Sequence, residues 1–220
     1  MNQIGWCADV EQADKLAARG VDYIECGLNS LQLEDDQKAM ERIKLHKDSP
    51  LPVRAFNLFA PPGMKFVGPE RDENRIRRYV SKAGEAAHHI GAKIIVLGSG
   101  TSRMIHADFS RDRAEDQFLE CLSWIDEAWR GTGVTLAIEP LNRKETNLVN
   151  SITDAVMLAR QINSPIVKVL ADFYHMQEEL EPLHVISEQK DWIAHIHLAD
   201  SGREAPGTGD YPYTHFTDVL

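Results

Sequence analysis

The chain has 220 residues, 43% of them hydrophobic, and a formal net charge of −10 at pH 7. That is enough apolar material for one sizeable core, and no apolar run approaches the ~18–20 residues of a membrane-spanning helix. An acidic chain whose one basic run, ENRIRRYVSK, is interspersed with acids is poorly suited to nucleic acid. Cys7, Cys26 and Cys121 are scattered and odd in number, and the N-terminal stretch shows neither a basic nor an apolar signal region, so a reducing cytoplasm is the expected setting.

Short apolar runs alternate with longer amphipathic ones. Strands are expected at residues 3–8, 22–28, 52–59, 92–99, 134–140, 166–173 and 192–199. Helical patterns cover 10–20, 33–47, 73–91, 113–131, 151–162 and 182–189, and a last one, YTHFTDVL, opens at 213 and runs to 220. Gly20, Gly91 and Gly131 stand where helix C-caps belong, and Ser151 with Asp154 reads as an N-cap with an acidic third residue.

Seven strands separated by helices imply a parallel sheet with helical crossovers. An open doubly wound sheet would carry a glycine-rich phosphate turn after an early strand, but WCADVEQ is not one, and GSGTS (98–102) after the fourth strand lacks the full spacing. Polar residues cluster instead at the C-terminal ends of the strands, as on the active face of a (β/α)8 barrel. The pattern supports a single domain over residues 1–220, without the eighth strand and final helix.

The fifth strand, LAIEP, ends an apolar run on Glu139. Burying a lone carboxylate is costly, so it requires compensation. The sixth strand offers Asp172 and then His175; the seventh offers His195 and His197. Side chains alternate along strands, so Glu139 shares a face with Ala137, and His197 with His195 one layer deeper. In a closed barrel Glu139, Asp172 and His197 converge on one spot. Two carboxylates there repel each other, and a divalent cation removes the conflict; the mixed O/O/N set suits Mn²⁺ first, with Mg²⁺, Co²⁺ and Zn²⁺ also compatible. Taken singly, Glu139 reads equally as a solvated loop acid, Asp172 as a turn cap and His197 as a hydrogen-bonded core histidine; their joint placement is what points to a metal. Trp6 and Phe59 read either as an apolar wall or as core aromatics, and Asn57 as a weaker polar candidate.

The stretches IEPLNRKE, LADFYHM and HIHLADSGREAPGTGD resemble, in order, the sugar epimerase/isomerase family of xylose isomerase-like TIM barrels, above all the D-tagatose and D-psicose (allulose) 3-epimerases. The resemblance implies metal ligation by Glu139, Asp172 and His197. It implies Glu139 as a proton-transfer base and substrate contacts from Glu145, His175 and Arg203. The reaction it implies is epimerisation or isomerisation of a ketose or related sugar through a metal-stabilised enediolate. A second carboxylate, also the fourth ligand, belongs to the family's eighth strand, and the sequence stops at Leu220 before it. A longer parent chain, completion by a second copy at the exposed sheet edges, or an impaired sugar- or partner-binding relative would each account for this. If Leu220 is the true end, weak metal retention and little activity are expected. An endonuclease IV-like DNA-repair barrel shares the Asp-x-x-His spacing but needs histidines after the third and fourth strands, where FNLF and VLGSG have none. The partner expected is a small sugar, with no nucleic acid, no membrane and an open route to a homo-oligomer.

Overall fold

The computed structural model describes residues 3–218. Seven strands form one parallel sheet in chain order: β1 (Gly5–Cys7), β2 (Tyr23–Gly27), β3 (Val53–Asn57), β4 (Ile94–Leu97), β5 (Thr135–Ile138), β6 (Val167–Asp172) and β7 (Ile193–His197). Among the described residues β1 and β7 are the sheet's edges, and the architecture is a TIM-barrel-like α/β fold without a closing eighth strand. The helices are α1 (Ala13–Ala17), α2 (Asp36–Lys47), α3 (Glu73–Ile90), α4 (Arg111–Trp129), α5 (Ile152–Ile162), α6 (Phe173–Glu178), α7 (His184–Glu188) and α8 (Tyr213–Thr217). No helix among the described residues is long and apolar enough to cross a membrane.

The strands are shorter than the apolar runs that announced them, because their outer residues lead into turns instead of the ladder. The expected helix over 10–20 is a short 3-10 turn followed by α1, and Leu33 precedes α2 in the buried core. The last expected helix is described as α8; residues 219 and 220 lie outside the described residues. Helix α6 was not anticipated: it starts directly on the end of β6, with Asp172 as its N-cap.

Local signals explain the main helices. The side chains of Asp35, Asp72 and Ser110 accept the backbone N–H three residues on, opening α2, α3 and α4, and Ser151 with Asp154 forms a reciprocal capping box at α5. Helix α3 ends on Gly91 at φ 97°, a left-handed conformation that glycine adopts without penalty. Gly131 lies one residue past the C-cap Arg130 of α4, at φ 81°, the left-handed position that glycine commonly fills after a helix.

Most of the core lies between the sheet's outer face and the helices. There Trp129 of α4 donates its indole N–H to the carbonyl of Val80 (2.7 Å), against Gly84 of α3, where a Cβ would come within 2.3 Å of the ring. Phe59 packs beside it, fully buried with Phe66, Tyr79 and Trp129 as ring neighbours. This settles the two readings of Phe59: it is a core aromatic, not a wall of the cavity. Inside the sheet a small layer of Val96, Ala137 and Leu170 floors the space above.

His46 is a buried titratable group in the outer shell. Its Nδ1–H donates to the Arg42 carbonyl (2.8 Å), and its Nε2 faces the Ser30 hydroxyl (3.2 Å), a pattern that a neutral ring satisfies. Burial holds it below its ordinary value of 6.5. The unfolded chain therefore takes up this proton before the folded one does, so the stability contributed by neutral His46 is present above that value and is lost as pH falls through and below it. In His46→Gln the fall in Tm between about pH 7.5 and 5.5 should be shallower than in the parent; parallel curves would remove His46 from the account.

Candidate active site

The ends of β5, β6 and β7 meet at one place. Glu139 follows β5, its N–H donating to the Leu97 carbonyl (3.1 Å). Asp172 ends β6 and His197 ends β7, and the two are register partners, so their side chains leave the sheet on the same side. The His197 Nδ1 lies 3.3 Å from Glu139 Oε1 and 3.8 Å from Asp172 Oδ2. The three residues named from the sequence thus face one another instead of diverging.

His175 sits in the first turn of α6, its backbone N–H donating to Asp172 (3.3 Å). The backbone N–H of Asn142 donates to its Nδ1 (3.0 Å), which leaves the Nε2–H of a neutral ring free to donate elsewhere. Glu139, Asp172 and His175 each offer a ligand-type atom within 4.8 Å of the others. Arg203 pairs with the Glu145 carboxylate and lies over the Tyr174 ring, 4.4 Å from its centroid. The loop that carries Arg203 is tied by Asp200, whose carboxylate accepts the N–H groups of Ser201 (2.8 Å), Gly207 (2.9 Å) and Tyr211 (3.0 Å). All six named residues, Glu139, Asp172, His175, His197, Glu145 and Arg203, border one cavity of about 1530 Å³. Trp6 and Asn57 border it too, with Leu58, not Phe59, as the apolar residue from the end of β3.

Three contributors were missed from the sequence. Glu25, in the middle of β2, is 2% exposed, and its two oxygens reach the Nε2 atoms of His195 and His197, each at 2.8 Å. Its signal was available: IEC places an acid inside an apolar strand just as AIE does. Arg103 is fully buried and donates from Nη2 to the Glu139 carbonyl (2.6 Å). Gly98, part of the GSG stretch weighed as a phosphate turn, makes room for the acid: a Cβ there would lie 2.1 Å from Glu139 Oε2. Two residues on, Gly100 lets the backbone carbonyl of Glu145 approach to 2.6 Å of where a Cβ would stand.

Burial and Glu139 together hold the Asp172 carboxyl above its ordinary range, because a second ionised acid beside a desolvated first one is unfavourable. Burial also works against the charge on Glu25, but His197 and His195 outweigh it and push that carboxyl down to about 2. For His197 burial is likewise outweighed, by Glu25 and Glu139, and the ring is held well above its ordinary value. Burial, with the nearby charges of Arg203 and Arg103, lowers His175 against the pull of Asp172 and Glu145, and burial brings Arg103 down to about 10. The donor set of two carboxylates and an imidazole, with one acid forced toward its neutral form for want of positive charge, fits a divalent cation.

Comparison with known proteins agrees with this architecture. The model of the xylose isomerase-like TIM barrel family matches residues 13–220. A 3-dehydro-D-guloside 4-epimerase of Escherichia coli (strain K12) is 28% identical over 153 residues, covering 66% of this chain and 58% of its own length. A D-psicose 3-epimerase of Enterocloster bolteae is 25% identical over 231 aligned residues, covering 98% of this chain and 73% of its own. The crystal structure of apo 3-keto-D-glucoside 4-epimerase from E. coli superposes with a TM-score of 0.83 at 22% identity, covering all of this chain and 87% of that one, a likeness of fold. The relatives are sugar epimerases, and the chain belongs to the xylose isomerase-like TIM barrel family.

Proposed function

We propose that this chain carries the catalytic face of a metal-dependent epimerase or isomerase acting on a ketose or a related keto sugar. The observation that supports it best is the buried meeting of Glu139, Asp172 and His197 at three adjacent strand ends, on the floor of a cavity large enough for a sugar. These three residues would hold a divalent cation, which when bound would polarise the sugar carbonyl and offset the negative charge left by loss of a carbon-bound proton. The Cys7 thiol borders the site, and its pKa is pushed up by its surroundings and by Glu25. The two carboxylates and the imidazole of Glu139, Asp172 and His197 favour Mn²⁺, Mg²⁺ or Co²⁺.

Glu139 is the base: its carboxylate accepts the proton from the carbon beside the carbonyl. His175, with Nδ1 engaged by Asn142, donates from Nε2 to a sugar oxygen and so steadies the developing enediolate. Arg203 and Glu145, held as a pair over Tyr174, bind sugar hydroxyls. Trp6 and Leu58, 50% and 59% exposed on the cavity, present apolar surface to the sugar's C–H faces. The opposite-face carboxylate that epimerisation needs is assigned by the family resemblance to an eighth strand, which is not among the described residues.

Two measurements test the reading. With Mn²⁺ in deuterium oxide, the protein should place deuterium on a ketose carbon beside the carbonyl, and Glu139→Gln should lower that exchange by about 10²–10⁴-fold. A chain that binds no Mn²⁺ and exchanges no proton with D-fructose, D-psicose, D-tagatose or a 3-keto-glycoside would overturn the proposal. In Gly98→Ala the new methyl group occupies the space of Glu139 Oε2, so Mn²⁺ affinity should fall about tenfold or more while the circular dichroism spectrum is retained. Unchanged affinity would show that the carboxylate does not depend on that space.

A further inference from the structure

Glu25 belongs to neither the ligand set nor the sugar contacts, yet it is among the most deeply buried acids of the chain and reaches from β2 across the interior to β7. An ionised carboxylate has only lone pairs to offer, so a nitrogen 2.8 Å from it has to supply the hydrogen. Each oxygen of Glu25 faces one Nε2, of His195 and of His197. With a cation offsetting Glu139 and Asp172 the ring is neutral and carries a single N–H, and with that hydrogen on Nε2 the lone pair is on Nδ1. In His197 it is Nδ1 that faces Glu139 and Asp172.

We infer that Glu25 is a positioning residue: it fixes the ring orientation and the tautomer of His197, so that a lone pair at Nδ1 points between Glu139 and Asp172. The inference rests on the metal-site reading above. Without Glu25 the Nε2 hydrogen has no acceptor at that position, and the competing tautomer gains: a hydrogen at Nδ1 would donate to Glu139 and leave that nitrogen unable to ligate. His195 completes the device. It occupies the second oxygen of Glu25, which keeps the carboxylate from rotating away, and its ring packs edge-on against His197 with centroids 5.1 Å apart. A carboxylate holding the far nitrogen of a ligating histidine is a general means of setting the ring's tautomer and raising its basicity. Here one acid does so for two imidazoles from the same strand.

The tautomer is directly observable. In the full chain labelled with ¹⁵N-histidine and loaded with diamagnetic Mg²⁺, long-range ¹H–¹⁵N spectra should show His197 with its hydrogen on Nε2. A hydrogen on Nδ1 would overturn the inference, and this test needs no substitution at Glu25. Glu25→Gln keeps the size but offers one acceptor and one donor where two hydrogens require two acceptors. Mn²⁺ affinity by calorimetry should then fall about 10–100-fold. Glu25→Asp, which retains two acceptor oxygens, should bind Mn²⁺ more tightly than Glu25→Gln. Equal losses in the two would mean that the position supplies bulk and not acceptor chemistry, and would overturn the inference, as would unchanged affinity in Glu25→Gln. A parent chain that takes up no Mn²⁺ defeats the metal reading itself, an outcome distinct from a parent that binds Mn²⁺ and a Glu25 variant that binds it equally well.

Discussion

Three carboxylates turned toward the interior of a parallel sheet form the constraint to which the rest of this molecule answers. Glu25, Glu139 and Asp172 are all buried. Taking such groups out of water costs several kcal/mol each unless charge and hydrogen bonds are returned to them. β7 returns two imidazoles, and both give their Nε2 to Glu25. What is left for Glu139 and Asp172 is the His197 Nδ1 and the first turn of α6, where His175 lies, since the nearby buried cation, Arg103, spends its bond on the Glu139 backbone carbonyl and not on the carboxylate. Asp172 responds by holding its proton more tightly than usual. Two adjacent buried carboxylates beside imidazole nitrogens make this concave spot receptive to a small cation.

The scaffold delivers this arrangement through register and glycine. Parallel pairing sets Asp172 opposite His197, and the same alternation puts Leu170 opposite His195 one layer down, over Val96 and Ala137. The acids and imidazoles therefore stand on an apolar floor that keeps water from beneath them. Space is made from the side by Gly98, the residue after β4, at the point where the Glu139 carboxylate lies. The loop after β7 has no strand to order it, and Asp200 takes that part by gathering three backbone N–H groups, which brings Arg203 over the mouth of the cavity to Glu145.

These relations were unevenly legible in the sequence. The alternation of strands and helices gave the architecture, because apolar period and caps are local properties. Glu139, Asp172 and His197 were readable because each closes an apolar run at a strand end. Glu25 carries the same local signal, an acid inside an apolar run, but alternation alone also allows a solvated face, and its partners on β7, some 170 residues away, are what place it inside. Phe59 reads from the sequence either as cavity wall or as core aromatic, because strict alternation from Asn57 would turn it to the cavity. Leu58 breaks that count: at φ 45° its backbone is left-handed and not extended, so Leu58 turns to the cavity and Phe59 to the core. GSG resembled a phosphate turn because glycine marks close approach of any kind, and here the group that approaches is a side chain of the same protein.

The Glu25 cluster also bears on why such a network persists in a core. A buried ion pair returns about what its desolvation costs, and an apolar replacement of equal volume is often as stable or more so. Stability alone therefore gives no reason to place an acid in the middle of β2 and two imidazoles on β7. Orientation does give a reason. An apolar residue at position 25 would pack as well, but it would leave the far nitrogen of His197 without an acceptor and the near one free to keep its hydrogen against Glu139. The cluster's geometry decides what the strand ends present to a cation.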